Sequence, residues 1–233
     1  DGLGSYFSKD GSIAEEITFS GGKRDGRSTV WLTPEEKQEE KFYKNGKLDG
    51  PSTFWENGYR STMTTYKSDS PEGPWVIWFS NSDQIKEQGF HQKGIREGLT
   101  TYYYEDGTMQ REGFFKEGLP DGMWTYWNKE GEKDFDFDFG SGLQHISLED
   151  LVERESTFYK LGEDTPFTGI ITQENPEADY LFLGRTKGGK KDGQWVKWFP
   201  SGKDVPEIIL VDVPDPEPVL PWSGGKQEQG GYK

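Results

Sequence analysis

Histidine, the usual general acid or base near neutral pH, occurs only twice in the chain, at His91 and His145. The two lie in different segments, and neither has a serine or carboxylate at a spacing typical of a catalytic triad. The 42 acidic residues guarantee close carboxylate pairs by abundance alone, so no pair indicates a glycosidase. The chain has no cysteine, which excludes thiol nucleophiles and thiolate metal sites. We therefore predict that the protein is not an enzyme.

Two segments imitate ligand-binding loops without completing them. The segment from Gly184 to Lys191 nearly matches the sequence of a phosphate-binding loop. Lys191, however, stands at the position where a serine or threonine must bind Mg²⁺. Asp134, Asp136 and Asp138 resemble the start of a calcium loop, yet the glycine comes one position late. Phenylalanine at the alternate positions between them favours a strand with an acidic face over a calcium site. The sequence predicts no cofactor and no metal ion.

The charge balance narrows the range of partners. With 27 basic and 42 acidic residues, the formal net charge is −15, which disfavours nucleic acid and anionic membranes as partners. The longest purely aliphatic run, Ile208 to Val211, is far shorter than the roughly 20 apolar residues of a membrane span. The 9 Trp, 11 Tyr and 15 Phe residues can supply a thin core where aliphatic residues are few. We expect a folded protein.

An acidic residue followed by glycine recurs along the chain with a period of about 24 residues. A second turn residue stands four positions before each repeat glycine, and an aromatic ring usually follows five positions after it. Short aromatic segments around such turns predict a β-hairpin for each unit. The fold class is therefore all-β, with tandem hairpins forming an elongated twisted antiparallel sheet. The structural repeat positions are Gly26, Trp31, Gly50, Trp55, Gly73, Trp78, Gly98, Tyr103, Gly122, Trp127, Gly169, Gly193 and Trp198.

The segment from Tyr43 to Gly50, followed by Phe54 to Gly58, resembles the repeat unit of the bacterial MORN-repeat-variant family. The resemblance extends over about residues 5 to 203. It implies a β-hairpin repeat fold. Many members of that family are labelled antitoxins, and related eukaryotic modules are hairpin ribbons used in protein assembly and lipid contact. For this chain the resemblance implies a binding function.

The repeat positions also predict how the chain is organised. Residues 1–140 form a first block of a half unit and five units, residues 141–155 a connector with one short helix after Ser147, and residues 156–203 a second block of two units. Residues 204–233 form a proline-rich tail. The chain begins with Asp1 and lacks a charged-then-apolar leader, so we expect a processed or excised chain. We predict a periplasmic or secreted bacterial protein, or a cytoplasmic one if it is an antitoxin.

The second strand of each hairpin carries aromatic side chains on both faces. We expect the periodic rings to form the core of a thin ribbon, and rings of the opposite face to remain open as a flat patch. Such a patch suits a protein partner or a sugar ring. We predict a non-enzymatic scaffold that binds another protein, as a peripheral subunit of an exported or envelope assembly, with the tail as a second contact. The alternatives are a carbohydrate-binding module and an antitoxin. The proposed binding residues are Trp75, Tyr102, Tyr104, Trp124 and Trp195.

Overall fold

A computed structural model describes residues 1–175 and 180–198, with backbone only at Asn175 and Trp198. The predicted fold class is confirmed, because one long antiparallel sheet of 13 strands runs in hairpin order, with β9 paired to β8. The strands are β1 Gly2–Phe7, β2 Ile13–Ser20, β3 Lys23–Trp31, β4 Lys37–Lys44, β5 Lys47–Glu56, β6 Tyr59–Lys67, β7 Ser70–Trp78, β8 Ile85–Gln92, β9 Ile95–Arg96, β10 Gly98–Tyr103, β11 Met109–Lys116, β12 Leu119–Trp127 and β13 Lys133–Asp138.

The described residues divide into two compact units, one over residues 1–120 and one that begins at residue 121. After β13 the second unit holds smaller sheets, one of order β14-β17-β18-β19 and a pair β15-β16. The connector contains a single turn of 3₁₀ helix, Leu148–Asp150, where one short helix was predicted. The predicted tail lies outside the described residues. The remaining strands are β14 His145–Ser147, β15 Leu151–Arg154, β16 Thr157–Lys160, β17 Gly169–Asn175, β18 Tyr180–Lys187 and β19 Lys190–Trp198.

The first predicted unit after residue 155 is not a simple hairpin. Its two strands, β16 and β17, belong to different sheets, and β17 pairs in parallel with β14 through His145 and Ile170. The connection between Lys160 and Gly169 is too long for the two-residue turn that joins the strands of a tight hairpin. The longer loop frees β17 to pair with a strand that precedes the unit.

The tight turns of the hairpins place two successive residues in the left-handed region. In the β4–β5 turn these are Asn45 and Gly46, with φ of 53° and 86°. This is the geometry of a type I′ turn, whose twist matches that of the flanking strands. The corresponding residues of the β6–β7 turn are Ser68 and Asp69, with φ of 50° and 72°. The Asp69 carboxylate compensates by accepting a hydrogen bond from the Leu48 backbone N–H at 2.8 Å.

In four consecutive repeats, the acid of the acid–glycine pair binds the turn of the next hairpin. The Asp49 carboxylate accepts a hydrogen bond from the Ser68 backbone N–H at 3.3 Å, and Glu97 accepts one from the Glu117 N–H at 2.9 Å. The same contact joins Asp25 to Asn45, Glu72 to Lys93 and, with a threonine as the acceptor, Thr168 to Gly188. The acid therefore links consecutive hairpins by satisfying a turn N–H that the sheet leaves unpaired.

An additional acid–glycine pair, Asp1–Gly2, lies at the start of the given sequence. Gly2 has a φ of 108°, like Gly26 with 105°, and the Asp1 carboxylate accepts a hydrogen bond from the Gly21 backbone N–H. Asp1–Gly2 is thus a repeat pair that the sequence analysis missed. β1 pairs with β2 as the second strand of a half unit would.

Replacing Asp49 with alanine should lower the free energy of unfolding by about 0.5–2 kcal/mol, because the Ser68 N–H loses its acceptor. Asp49→Asn keeps an acceptor oxygen and should retain most of the stability. Urea denaturation followed by far-UV circular dichroism measures both. Equal stability of Asp49→Ala and the unaltered protein would show that the carboxylate does not support the turn.

Candidate functional site

The strand register of the first unit distinguishes two sheet faces, because directly paired residues of antiparallel strands lie on the same face. Trp75 pairs with Thr64 and with Gly89, whereas its neighbour Pro74 pairs with Phe90. Successive residues of a strand point to opposite faces. We call the face that carries Trp75 the core face and the face that carries Phe90 the open face.

On the core face, the residue two positions after the repeat glycine is always buried. These residues are at most 5% exposed, and they include both small and large side chains. The indole of Trp75 lies over Gly89, where a Cβ would come within 2.8 Å of Cζ2. The Arg96 guanidinium lies 4.6 Å from the same ring's centroid. The buried set in the first unit is Ser28, Ser52, Trp75 and Thr100, and the second unit adds Trp124 and Trp195.

This burial corrects the predicted open patch. Trp75, Tyr104, Trp124 and Trp195 are at most 6% exposed, so the expectation that they form an accessible flat surface is wrong. A glycine on the neighbouring strand gives Trp75 and Trp195 room to lie across the sheet, and this removes the ring from solvent.

Tyr102, the fifth predicted binding residue, is half-buried on the core face. Its hydroxyl accepts a hydrogen bond from Arg96 at 3.0 Å, and the Arg111 guanidinium lies 4.2 Å from its ring centroid. Burial raises the pKa of Tyr102, and the charges of Arg111 and Arg96 oppose that rise. The phenol is therefore a neutral part of a packed aromatic and arginine cluster.

The periodic rings have a less enclosed environment than predicted. Trp78 is buried, but Trp31, Trp55, Tyr103 and Trp127 are only half-buried. Lys37 Nζ lies 5.9 Å from the Trp31 ring and 5.4 Å from the Trp55 ring, and cations placed in this way are attracted to aromatic faces. The side chain of Trp198 lies outside the described part of the chain.

The repeat glycines have the backbone geometry that glycine favours, with one exception. φ is between 65° and 126° at Gly26, Gly50, Gly73, Gly98, Gly122 and Gly193. Gly169 is instead required by close approach, because a Cβ there would lie 2.3 Å from the backbone oxygen of Gln144.

The open face carries an exposed apolar row that the sequence analysis did not identify. The row consists of Pro51, Pro74, Phe90, Leu99 and Phe114, on strands β5, β7, β8, β10 and β11. The last three are 46%, 46% and 56% exposed. Pro74 pairs directly with Phe90, and Leu99 with Phe114, so members of the row adjoin across the sheet. A usable signal existed in the sequence, since Pro51, Pro74 and Leu99 each follow a repeat glycine directly.

A shallow cleft of about 470 Å³ opens in this row between β7, β8 and β10. Side chains of Pro74, Val76, Phe90 and Leu99 line it, and the polar lining includes Gln88, Thr101 and Glu97. Among the described residues that line the cleft, none is basic and Glu97 alone is ionisable. The cleft therefore offers an apolar surface bordered by hydrogen-bond acceptors and one carboxylate.

The two histidines lie in different units and pack against aromatic rings. His91 lies 5.6 Å from Trp75, and its pKa is lowered by burial and by the charge of Arg96. His145 stacks on Phe139 at 5.5 Å, and burial lowers its pKa. Within residues 1–175 and 180–198, no three acidic or histidine side chains converge as metal ligands would. The same residues include no helix that could span a bilayer.

Comparison with family models and with curated proteins identifies no relative of this chain. No family model matches the chain, and no curated protein matches it. The resemblance to the MORN-repeat-variant family stays a prediction from the sequence.

Proposed function

We propose that this protein is a non-enzymatic binding or scaffold module that docks a partner protein on the apolar row of its open face. The observation that carries the proposal is the exposure of four apolar side chains, Pro74, Phe90, Leu99 and Phe114, that lie side by side on strands of one sheet. Apolar surface that stays exposed and contiguous is typical of interaction sites. Polar residues around it match the polar rim that surrounds the apolar centre of an interface.

The hairpin architecture supports this function by making the surface rigid. Each side chain of the row is held on a strand, and the acids of the repeat pairs bind the neighbouring turns. A preorganised surface loses little conformational entropy when it binds a partner, which favours affinity.

The alternatives have less support in the structure. A carbohydrate-binding module needs accessible coplanar rings, and the rings proposed for it are largely buried. An antitoxin would be a special case of the same protein-binding function. A peripheral subunit of an exported assembly remains our proposal for the biological setting.

The test removes the apolar row without touching the core. The double variant Phe90→Ser and Phe114→Ser should reduce capture of the native partner at least about 10-fold, because central apolar contacts dominate interface energies. The control, Phe7→Ser and Leu32→Ser, removes two apolar side chains outside the row, which are 64% and 63% exposed and thus even more accessible than Phe90 and Phe114. Quantitative affinity capture with mass spectrometry measures the loss. Equal capture by both double variants would contradict the proposal.

A further inference from the structure

We propose that the open-face cleft receives a lysine or arginine side chain of the partner protein, an inference that rests on the proposed function. The stem of that side chain would lie along Pro74, Phe90 and Leu99, and its cationic head would reach Glu97. The partner surface would thus combine basic and apolar residues.

The lining of the cleft carries the first step of the argument. Pro74, Val76, Phe90 and Leu99 make one side of the cleft apolar. Lysine and arginine bury their aliphatic stems on such surfaces while keeping the charged head in a polar environment. A purely apolar side chain would leave the charge of Glu97 at the border unbalanced, and a carboxylate would be repelled by it.

Hydrogen bonds fix the acceptors that a cation would meet. Hydrogen bonds position both the backbone and the side chain of Glu97. Its backbone N–H donates to the Phe90 backbone oxygen at 2.9 Å, and its Oε2 accepts from the Glu117 backbone N–H. A carboxylate has about four acceptor sites, so this one bond leaves capacity for a charged donor. The side-chain nitrogen of Gln88 donates to the Tyr103 hydroxyl at 2.7 Å, which leaves the amide oxygen as a further acceptor. All of these groups favour a donor with positive charge.

The repeat extends this chemistry beyond one cleft. In three consecutive hairpins an acid and an exposed residue of the open face flank the repeat glycine, as Asp49 and Pro51, Glu72 and Pro74, and Glu97 and Leu99. Each hairpin adds two strands, so these acids follow one another at about 9–10 Å. A partner segment with basic residues at that spacing would match several of them.

The experiment uses three fluorescent peptides of about 12 residues, with the same leucine positions and with lysine, glutamine or glutamate between them. Fluorescence anisotropy with the full chain at physiological salt should show the lysine peptide binding about 10-fold more tightly than the glutamine peptide, as a charged hydrogen bond predicts. Glu97→Gln should remove most of this preference, because Glu97 is the one carboxylate among the described residues that line the cleft. That variant keeps an oxygen for the Glu117 N–H, so the turn should remain folded.

The matched control is Glu105→Gln, which removes the same charge at an exposed position outside the cleft and should leave the preference intact. If Glu97→Gln and Glu105→Gln lost the lysine preference equally, the preference would come from long-range attraction to the acidic chain. That result would overturn the inference. A different outcome is that the lysine and glutamine peptides bind equally tightly and both lose binding in the Phe90→Ser and Phe114→Ser variant. That result would overturn the inference about the cation, while the proposed function would stand. If no peptide binds, the inference fails, and the capture experiment decides the proposed function separately.

Discussion

Replacing Trp75 with alanine should destabilise the first unit by about 3–5 kcal/mol, the cost of removing a large buried aromatic side chain. Only 3% of Trp75 is exposed, and its ring covers Gly89 and lies against Arg96. Alanine would leave a cavity on the core face that the neighbouring strands, held by their ladder hydrogen bonds, cannot close. It would also expose the buried side of Thr100, which is 0% exposed in the intact sheet.

Urea denaturation followed by far-UV circular dichroism measures this effect. Trp55→Ala is the matched control, because Trp55 is a half-buried ring of the periodic set. Its loss should cost clearly less, since less apolar area leaves solvent when the protein folds. If Trp55→Ala destabilised the protein as much as Trp75→Ala, the assignment of the core face would be contradicted.

Replacing Gly184 with alanine should destabilise the second unit by about 1–3 kcal/mol through overpacking. The added Cβ would lie 2.5 Å from Cδ2 of Trp195, much closer than any normal contact. The indole cannot move away easily, because its Nε1 donates to the Arg185 backbone oxygen at 2.9 Å and its ring stacks on Phe158 at 5.5 Å.

A double-mutant cycle distinguishes this clash from a backbone effect. Trp195→Phe shortens the ring, so it should be less destabilising in the Gly184→Ala background than in the unaltered protein. Equilibrium unfolding of the two single variants and the double variant provides the coupling energy. Strict additivity would mean that the glycine is required for a reason other than the neighbouring indole.

The repeat pattern was sufficient to predict most of the fold. Each unit needs a turn residue with positive φ at a fixed place, and Gly46 and Asp69 satisfy this locally. Hairpin strands adjoin in sequence and pair in space, so hairpin order follows from the period. The segment from Asp134 to Phe139 was predicted as a strand by its alternation, and β13 confirms this over Lys133–Asp138.

The same reasoning from the sequence predicted less of the candidate site. Trp55 and Trp75 are both tryptophans, so side-chain type does not say which of them is enclosed. The neighbours Gly89 and Thr100 decide this, and they belong to other strands. The role of the repeat acids was missed for a similar reason, because Glu97 binds a turn 20 residues away.

The sequence by itself determined the hairpins, their turns and their period, because these depend on φ preferences and alternation within a few residues. Tertiary structure alone decided that Trp75, Trp124 and Trp195 are core, that Phe90 and Leu99 are exposed, and that β17 pairs in parallel with β14. Burial depends on what lies across the strands, and pairing depends on which strand a long loop can reach. Both are set by contacts between residues distant in sequence, and the local pattern does not encode them.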